Sequence, residues 1–395
     1  MAANAKNNRK NHSKQQQTKN KRKLIIFGAE LIIIVIMVGV LWWVMDFTED
    51  NKAPHITEKF EPGEVKVPQQ VQQQIEQGGA MKGYMNIALF GVDAKNENEL
   101  YKSSRSDTIM IASINLDTGD IKLVSVLRDT YLNLNQGDDT YKKCNAAYAK
   151  GGAQQAVGML NMNLDMDITQ FVTVGYAGLA EVIDGLGGVW IDVSKAELQH
   201  INNYQYSILG KYAKTRYNIN IDAELNFTPD EYFWDYDMVP VKEPGYQLLD
   251  GLQAAAYCRI RYVGNDFERT ARQREVIKAI EAQAKQADLA TLTKVFESAM
   301  DDIYTNLDAA TILTDLLPNI AKYRIADEGL FPERDKQEGV NMGANGICQI
   351  PNDLAASVSW LHGFLFDDND YVASDTVKNI SDKIIAAASK YRGGN

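Results

Sequence analysis

Histidine is nearly absent from this 395-residue chain: four copies, His12, His55, His200 and His362, lie far apart, and none sits beside a nucleophile motif. No G-x-S-x-G, H-E-x-x-H or P-loop pattern occurs. These absences argue against a Ser-His-Asp hydrolase and against a His-ligated zinc enzyme. Cysteine is as scarce. Cys144, Cys258 and Cys348 are odd in number and lack metal-ligand spacing, so buried free thiols are expected. Positive charge is also in deficit, with 41 Lys+Arg against 52 Asp+Glu. Eight of the cations fall within residues 1–23, which leaves 33 against 52, a net −19, for residues 24–395. Nucleic acid is therefore not an expected partner, since such proteins present a basic surface.

What is present first fixes a location. Residues 1–23 form a basic tail without Asp or Glu, followed by "LIIFGAELIIIVIMVGVLWWVM", residues 24–45. At 1.5 Å per residue that run makes a helix of roughly 33 Å, enough to cross a bilayer. Basic residues before it and Asp46, Glu49 and Asp50 after it predict a cytoplasmic N-terminus and an external remainder. No small-x-small cleavage site follows, so the segment reads as an uncleaved single-pass anchor in the cell membrane. Residues 46–83 read as a polar, Gln-rich stalk.

From about Met85 the pattern becomes that of a compact ectodomain. "MNIALFGVD" (85–93), "TIMIASINLD" (108–117) and "IKLVSVL" (121–127) read as strands, with "TGD" (118–120) as a hairpin turn. Residues 145–164 have helical spacing despite Gly151 and Gly152. Then "ITQFVTVGY" (168–176) reads as strand, 177–188 as helix and "VWIDV" (189–193) as strand. Strand alternating with helix predicts an α/β fold, a sheet covered by helices. Residues 195–245 show little periodicity and read as a long excursion. Residues 248–261 read as helix followed by a short extended piece, and 266–286 as a helix capped by Asn265 or Asp266. Residues 290–395 read as mainly helical with short strands, including a helix over "AATILTDLLPNIAKY".

The chemistry that remains belongs to arginine and aspartate at element boundaries. Asp93 ends the first strand. Arg105 and Asp107 begin the second, Arg128 and Asp129 end the third, and Lys143 lies just upstream of a helix. Such positions converge at one edge of an α/β sheet, where these folds bind ligands. A second cluster, "YCRIRYVGNDFERTARQREVI" (257–277), holds Arg259, Arg261, Arg269, Arg272 and Arg274. Arg259 and Arg261 would point the same way from an extended segment. Arg269 and Arg272, three apart, are neighbours on a helix, in first turns where the macrodipole disfavours cations. Guanidinium suits bidentate phosphate contact. Mg²⁺, commonly held by one or two carboxylates plus phosphate oxygens, would reconcile Asp93 and Asp107 with that anion. Metal, arginines and a diphosphate form a consistent set for phosphoryl transfer. For any single arginine a surface salt bridge is the plainer reading; the placement of the whole set favours a site.

Together these motifs resemble the LytR-CpsA-Psr family of cell-wall glycopolymer ligases. "NIALFGVD", "RSDTIMI", "VSVLRDTYL", "KCNAAYAKGG", "VIDGLGGVWIDV" and "LLDGLQAAAYCRIRYVGNDFERTARQREVI" run in family order from about residue 86 to 277. The resemblance implies a mixed sheet flanked by helices, with a catalytic domain over 84–289 and a helical portion over 290–395 that packs on or completes it. It implies transfer of a phosphorylated glycan (teichoic acid, capsule or another wall polysaccharide) from a polyprenyl-diphosphate carrier to a peptidoglycan hydroxyl. It places Asp93 and Asp107 on a metal, Mg²⁺ or Mn²⁺, and Arg105, Arg128, Arg259, Arg261, Arg269 and Arg272 around the diphosphate. Lys143, Asp266 and Gln273 occupy further motif positions, Lys143 and Gln273 on the diphosphate side and Asp266 with the catalytic arginines. It also implies an apolar tunnel, for which Val157, Leu160, Val172, Val174, Leu179 and Val182 are candidates or else ordinary core. Leu127 and Cys258 depart from the usual motif without removing a functional group. The alternatives are a non-catalytic, membrane-anchored binder of lipid-linked glycans and a membrane-bound regulator.

Overall fold

A computed structural model describes residues 67–94, 100–101, 104–135, 139–209, 238–308 and 312–392. The expected tail, anchor and most of the stalk lie outside the described residues. Among the described residues no helix is long and apolar enough to cross a membrane. The strands are β1 (Tyr84–Val92), β2 (Ser106–Asn115), β3 (Asp120–Val126), β4 (Tyr131–Asn133), β5 (Tyr141–Lys143), β6 (Gln170–Val174), β7 (Val189–Val193), β8 (Gly245–Leu249), β9 (Ile303–Thr305), β10 (Arg324–Phe331), β11 (Gln337–Asn341) and β12 (Ile347–Pro351). The α-helices are α1 (Gln69–Glu76), α2 (Ala146–Leu164), α3 (Tyr176–Gly185), α4 (Lys195–Leu209), α5 (Gly251–Arg259), α6 (Asp266–Ala284), α7 (Leu289–Ala299), α8 (Leu354–Phe366) and α9 (Asp375–Arg392).

Six strands form one mixed sheet in the order β10-β3-β2-β1-β6-β9. β1 pairs antiparallel with β2 and parallel with β6, while β3 pairs antiparallel with β2 and parallel with β10. The α/β fold predicted from alternating elements is the one observed. Side chains of a strand alternate between faces, so the register fixes which residues share a wall. Leu89, Met110 and Val172 stand in one cross-strand row, and Gly91, Thr108 and Val174 in the next. The opposite face carries Ala88, Phe90, Ile109, Ile111, Val124 and Phe171 into the main core, against α2, α8 and α9. A second core joins α3, α4, α5 and the β7–β8 ribbon.

Several elements differ from their sequence reading, among them the short β4–β5 ribbon and β8, neither of which was expected. The beginning of the 195–245 excursion is helix α4, and residues 210–237 lie outside the described residues. α4 is polar in composition, yet Ile201, Tyr206 and Ile208 are fully buried; tertiary burial overrides weak propensity. Of the helix expected over 309–323, residues 309–311 lie outside the described residues, and the rest holds a short π turn at Ile312–Leu316 and a 3₁₀ turn at Leu317–Asn319. Pro318 supplies the reason, because proline has no N–H and clashes with the preceding turn. The helical reading of 145–164 holds, but α2 kinks at Gly151–Gly152. Gly152 has φ +66° and lies where an added Cβ would sit 2.5 Å from the Tyr101 carbonyl oxygen, so only glycine fits there. Cys144, Cys258 and Cys348 are free and buried, as expected.

Residues 290–395 contribute both edge strands of the sheet, β9 and β10. β12 also reaches the turn after β3, where the Gln349 N–H donates to the Asp129 carbonyl at 2.9 Å. Beside it the Leu127 N–H donates to the Phe331 carbonyl at 2.9 Å, and the Asn145 N–H to the Arg128 carbonyl at 3.1 Å. The Arg128–Asp129 turn is thus held from three sides.

Candidate active site

β1, β3 and β6 end at one edge of the sheet, and antiparallel β2 begins there. At that edge opens a cavity of about 800 Å³. Its mouth is charged, with Asp93, Arg105, Asp107, Arg128, Arg259, Arg261 and Arg269 on the lining. Its depth is apolar. Leu89, Met110 and Val172 form the sheet wall, Leu179 and Val182 come from α3, and Val276, Ile277 and Ile280 come from α6.

Asp107 owes its aim to an irregularity. Gly91 pairs with Thr108 and Val92 with Ser106, so Asp107 is the extra residue of a β-bulge. Strict alternation would send Asp107 and Thr108 to opposite faces, whereas here both line the cavity. Bulges re-aim side chains in this way beside active sites. Arg128 Nη1 donates to Asp107 Oδ1 at 2.5 Å, and Arg261 Nη2 to Asp107 Oδ2 at 2.8 Å. Arg269 Nη2 donates to the Asp107 main-chain oxygen at 3.2 Å and pairs with Asp266 Oδ1 at 2.6 Å. Burial pushes the Asp107 carboxyl up, but the Arg128, Arg261 and Arg269 charges outweigh it and hold the group below its usual range. Arg269 is pulled down by its burial and by Arg128 and Arg261, against Asp266 and Asp107. Arg128 goes the other way, because Asp107, Asp129 and Asp266 outweigh its burial.

Arg259 is the last residue of α5, not part of an extended piece. Its guanidinium lies 4.7 Å from the Tyr176 ring centroid and 5.6 Å from that of Tyr204, and 3.7 Å from Asp93 Oδ2. Stacking on two rings holds the planar group in place. Tyr176 and Tyr204 were not singled out from the sequence, since nothing in local spacing links them to residue 259. Arg105 is exposed at the rim.

Helix α6 divides the second arginine cluster. Asn265 caps it: its side chain accepts from the Phe267 N–H at 2.8 Å, while Glu268 reaches back to the Asn265 N–H at 2.9 Å. That leaves Asp266 for Arg269 and for Arg128 Nε, 3.7 Å away. Arg269, Gln273, Val276, Ile277 and Ile280 form one stripe facing the cavity. Arg272 does not. Its Nε donates to Glu197 Oε1 at 2.6 Å, its Nη1 to the Ile260 carbonyl at 2.8 Å, and its Nη2 to the Val263 carbonyl. The reading that Arg269 and Arg272 grip one anion is corrected here. Residues three apart sit about 60° apart around a helix, enough to turn Arg272 from the cavity toward α4. Lys143, likewise, is not on the cavity lining; it pairs with Asp129 at 3.1 Å behind the Arg128 turn. Gln273 does line the cavity, and its Nε2 reaches the Cys258 carbonyl at 3.4 Å. Of the expected tunnel residues, Val172, Val174, Leu179 and Val182 line the cavity. Val157 and Leu160 are core on the far side of the sheet.

Comparison with known proteins follows the same outline. The LytR_cpsA_psr family model matches residues 44–329. A curated relative from Enterococcus faecalis, the polyisoprenyl-teichoic acid–peptidoglycan teichoic acid transferase TagU, is 28% identical over 225 residues, 56% of this chain and 61% of its own length. Biofilm regulatory protein A of Streptococcus mutans is 27% identical over 260 residues, 62% of this chain and 57% of its own. The chain thus spans about three-fifths of the length of these relatives. The solved structure of protein gbs0355 from Streptococcus agalactiae superposes with a TM-score of 0.56 at 22% identity, covering 80% of this chain and 95% of that one, a likeness of fold.

Proposed function

Because this chain belongs to the LytR_cpsA_psr family, we propose that it moves a phosphorylated glycopolymer from a polyprenyl-diphosphate carrier to a peptidoglycan hydroxyl. One observation carries the reading: a deep apolar cavity of about 800 Å³ whose mouth is ringed by five arginines and two aspartates. That is the outline of a lipid tail with an anionic head. The names of several relatives, teichoic acid transferases, agree with it.

The chain's own residues divide the work. The walls from β1, β2, β6, α3 and α6 take up the polyprenyl chain, since apolar surface leaves water favourably. Arg128, Arg261 and Arg269 converge where the diphosphate would lie, and Arg105 and Arg259 flank them. An acceptor hydroxyl attacks the phosphorus that carries the glycan and gives up its proton to solvent or to the departing phosphate. The new P–O bond makes the phosphodiester, the diphosphate bridge breaks, and polyprenyl monophosphate departs. Guanidinia fixed before the reaction stabilise charge as it shifts to that leaving group. The donor set also suits Mg²⁺ or Mn²⁺. Asp93 and Asp107 both line the mouth, Asp107 is held ionised, and among the described residues no third His, Cys, Asp or Glu completes an all-protein cage. Asp93 and Asp107 would hold the cation, and phosphate and water would complete its shell. Its chemistry when bound is neutralisation of phosphate oxygens.

The substrate class implies the membrane as partner and an external catalytic domain, with residues 24–45 as the anchor. Protease added to intact protoplasts should digest the ectodomain; full protection would overturn that placement. For the activity, the full-length protein would be incubated with a synthetic polyprenyl-diphosphate glycan, peptidoglycan and Mg²⁺. Mass spectrometry should find a phosphodiester-linked product with equimolar polyprenyl phosphate. Donor bound but recovered intact would show a binder and sink the transferase reading.

A further inference from the structure

The arginine site is built around an anion that the protein supplies itself. Both carboxylate oxygens of Asp107 are engaged, Oδ1 by Arg128 at 2.5 Å and Oδ2 by Arg261 at 2.8 Å. Arg269 holds its main-chain oxygen. The bulge keeps the carboxylate in the middle of these groups. Nor do they exhaust the donors: among the described residues Arg269 Nε is buried without a hydrogen-bond partner, and Arg128 Nε has only Asp266 Oδ1 at 3.7 Å, beyond hydrogen-bond distance. Unsatisfied buried donors call for an explanation, an unseen ligand among them.

Charge points the same way. Among the described residues the site holds five guanidinia (Arg105, Arg128, Arg259, Arg261, Arg269) against three carboxylates (Asp93, Asp107, Asp266), two positive charges in excess, and Asp129 behind Arg128 is offset by Lys143. A divalent cation entering alone would meet that excess, and a carboxylate already committed to two guanidinia.

We propose that Asp107 is the internal stand-in for the diphosphate. In the free protein it occupies the guanidinia that phosphate oxygens take over, and only that exchange releases it toward a divalent cation. This rests on the diphosphate-transfer reading given above and adds an order to it. Diphosphate and cation bind together, each raising the affinity of the other by the same factor. Neither binds well alone, the cation because the site repels it and the diphosphate because Asp107 competes with it.

Asp107→Asn separates this role from that of a simple metal ligand. A simple ligand, once lost, relieves only the repulsion that any carboxylate at the mouth exerts on a metal-free donor, the gain that Asp93→Asn measures. A stand-in, once lost, unmasks the arginines. By calorimetry in EDTA, with the full-length chain in detergent and a short-chain polyprenyl-diphosphate N-acetylhexosamine as probe, Asp107→Asn should bind about tenfold tighter than wild type. With Mn²⁺ added, wild type should gain at least about tenfold and the variant little. The Mn²⁺ resonance should show almost no cation bound to wild type without donor. Arg261→Met gives the mirror test if Asp107→Asn does not fold: it should bind Mn²⁺ alone better than wild type and donor worse, and gain more for Mn²⁺ than Arg105→Met, which removes the same charge without freeing Asp107. A metal-free donor affinity of folded Asp107→Asn that equals wild type, or exceeds it no more than Asp93→Asn does, overturns the proposal, as does tight Mn²⁺ binding to donor-free wild type. Failure of wild type to bind donor even with Mn²⁺ would instead overturn the transferase reading.

Discussion

Arg261 and Arg272 carry the same charge eleven positions apart and have opposite tasks. Arg261 is about half exposed at the cavity mouth, 2.8 Å from Asp107. Arg272 is 5% exposed, bound to Glu197 and to two carbonyls. Glu197 is buried as well; its burial pushes the carboxyl up, but the Ser194 donors and Arg272 outweigh it and hold it below the usual range. Removing one partner of a buried pair leaves the other charge stranded, at a cost of roughly 3–5 kcal/mol. We therefore expect Arg272→Ala to lose most of its stability to chemical denaturation. Arg261→Ala should unfold as wild type does, yet turn over a polyprenyl-diphosphate donor at least about a hundredfold more slowly, the scale of one lost transition-state donor. Arg261→Lys should be nearly as slow, because lysine keeps the charge and loses the planar fork. A fast, folded Arg261→Lys enzyme would mean that positive charge alone suffices. Arg274, whose Nη1 donates to Ser125 Oγ at 2.7 Å, ties α6 to β3 and stays off the cavity lining.

Among the elements, α3 and α6 form the wall opposite the sheet, and their small and branched side chains keep the cavity open. Leu179 and Val182 face inward on α3, one turn apart. Leu179→Trp should fill part of the space without disturbing the arginines. Polyprenyl donors with long chains should then lose affinity, while donors of one or two isoprene units keep theirs. Equal loss for both would place the lipid elsewhere. The apolar spacing of α3 and α6 was visible in the sequence. It could not distinguish residues lining a cavity from residues filling a core, because both are apolar at the same period. Val157 and Leu160 on α2 show this: they share the helical spacing of Leu179 and Val182 but lie beyond the sheet.

Across the whole molecule, pH acts far from the charged mouth. His362 on α8 is 1% exposed, its Nε2 is 3.0 Å from the Leu164 carbonyl oxygen, and its ring stacks on Tyr371 at 3.6 Å. Burial pushes its imidazole down to about 4, against the Leu164 and Asp165 carbonyls that favour the proton. A depressed basic pKa means that the unfolded chain binds the proton first. This contribution to stability is whole above the ordinary histidine value near 6.5 and declines as pH falls toward 4. At about 1.4 kcal/mol per unit the decline amounts to a few kcal/mol. Denaturant unfolding at pH 7, 6, 5 and 4 should show it, and His362→Gln should flatten the slope over that interval. An unchanged slope in the variant would assign the acid sensitivity to other groups, such as Glu197, whose depressed carboxyl loses its contribution at still lower pH.

The sequence by itself determined the order of the main strands and helices from 84 to 193, without the short β4–β5 ribbon, the gathering of Asp93, Asp107 and Arg128 at one sheet edge, and the family. Those follow from periodicity and from residues at strand ends, which are local. Only the tertiary structure decided which arginines meet. Arg269 and Arg272 differ by about 60° of helix rotation, and what lies on each side of α6, a cavity or α4, is set by packing between distant segments. The bulge that aims Asp107 exists only in the pairing of β1 with β2. The grip of β10 and β12 on the Arg128 turn joins residues some 200 positions apart in the chain. No local pattern records such contacts, because the energy that fixes them is shared between segments that are neighbours only once the chain has folded.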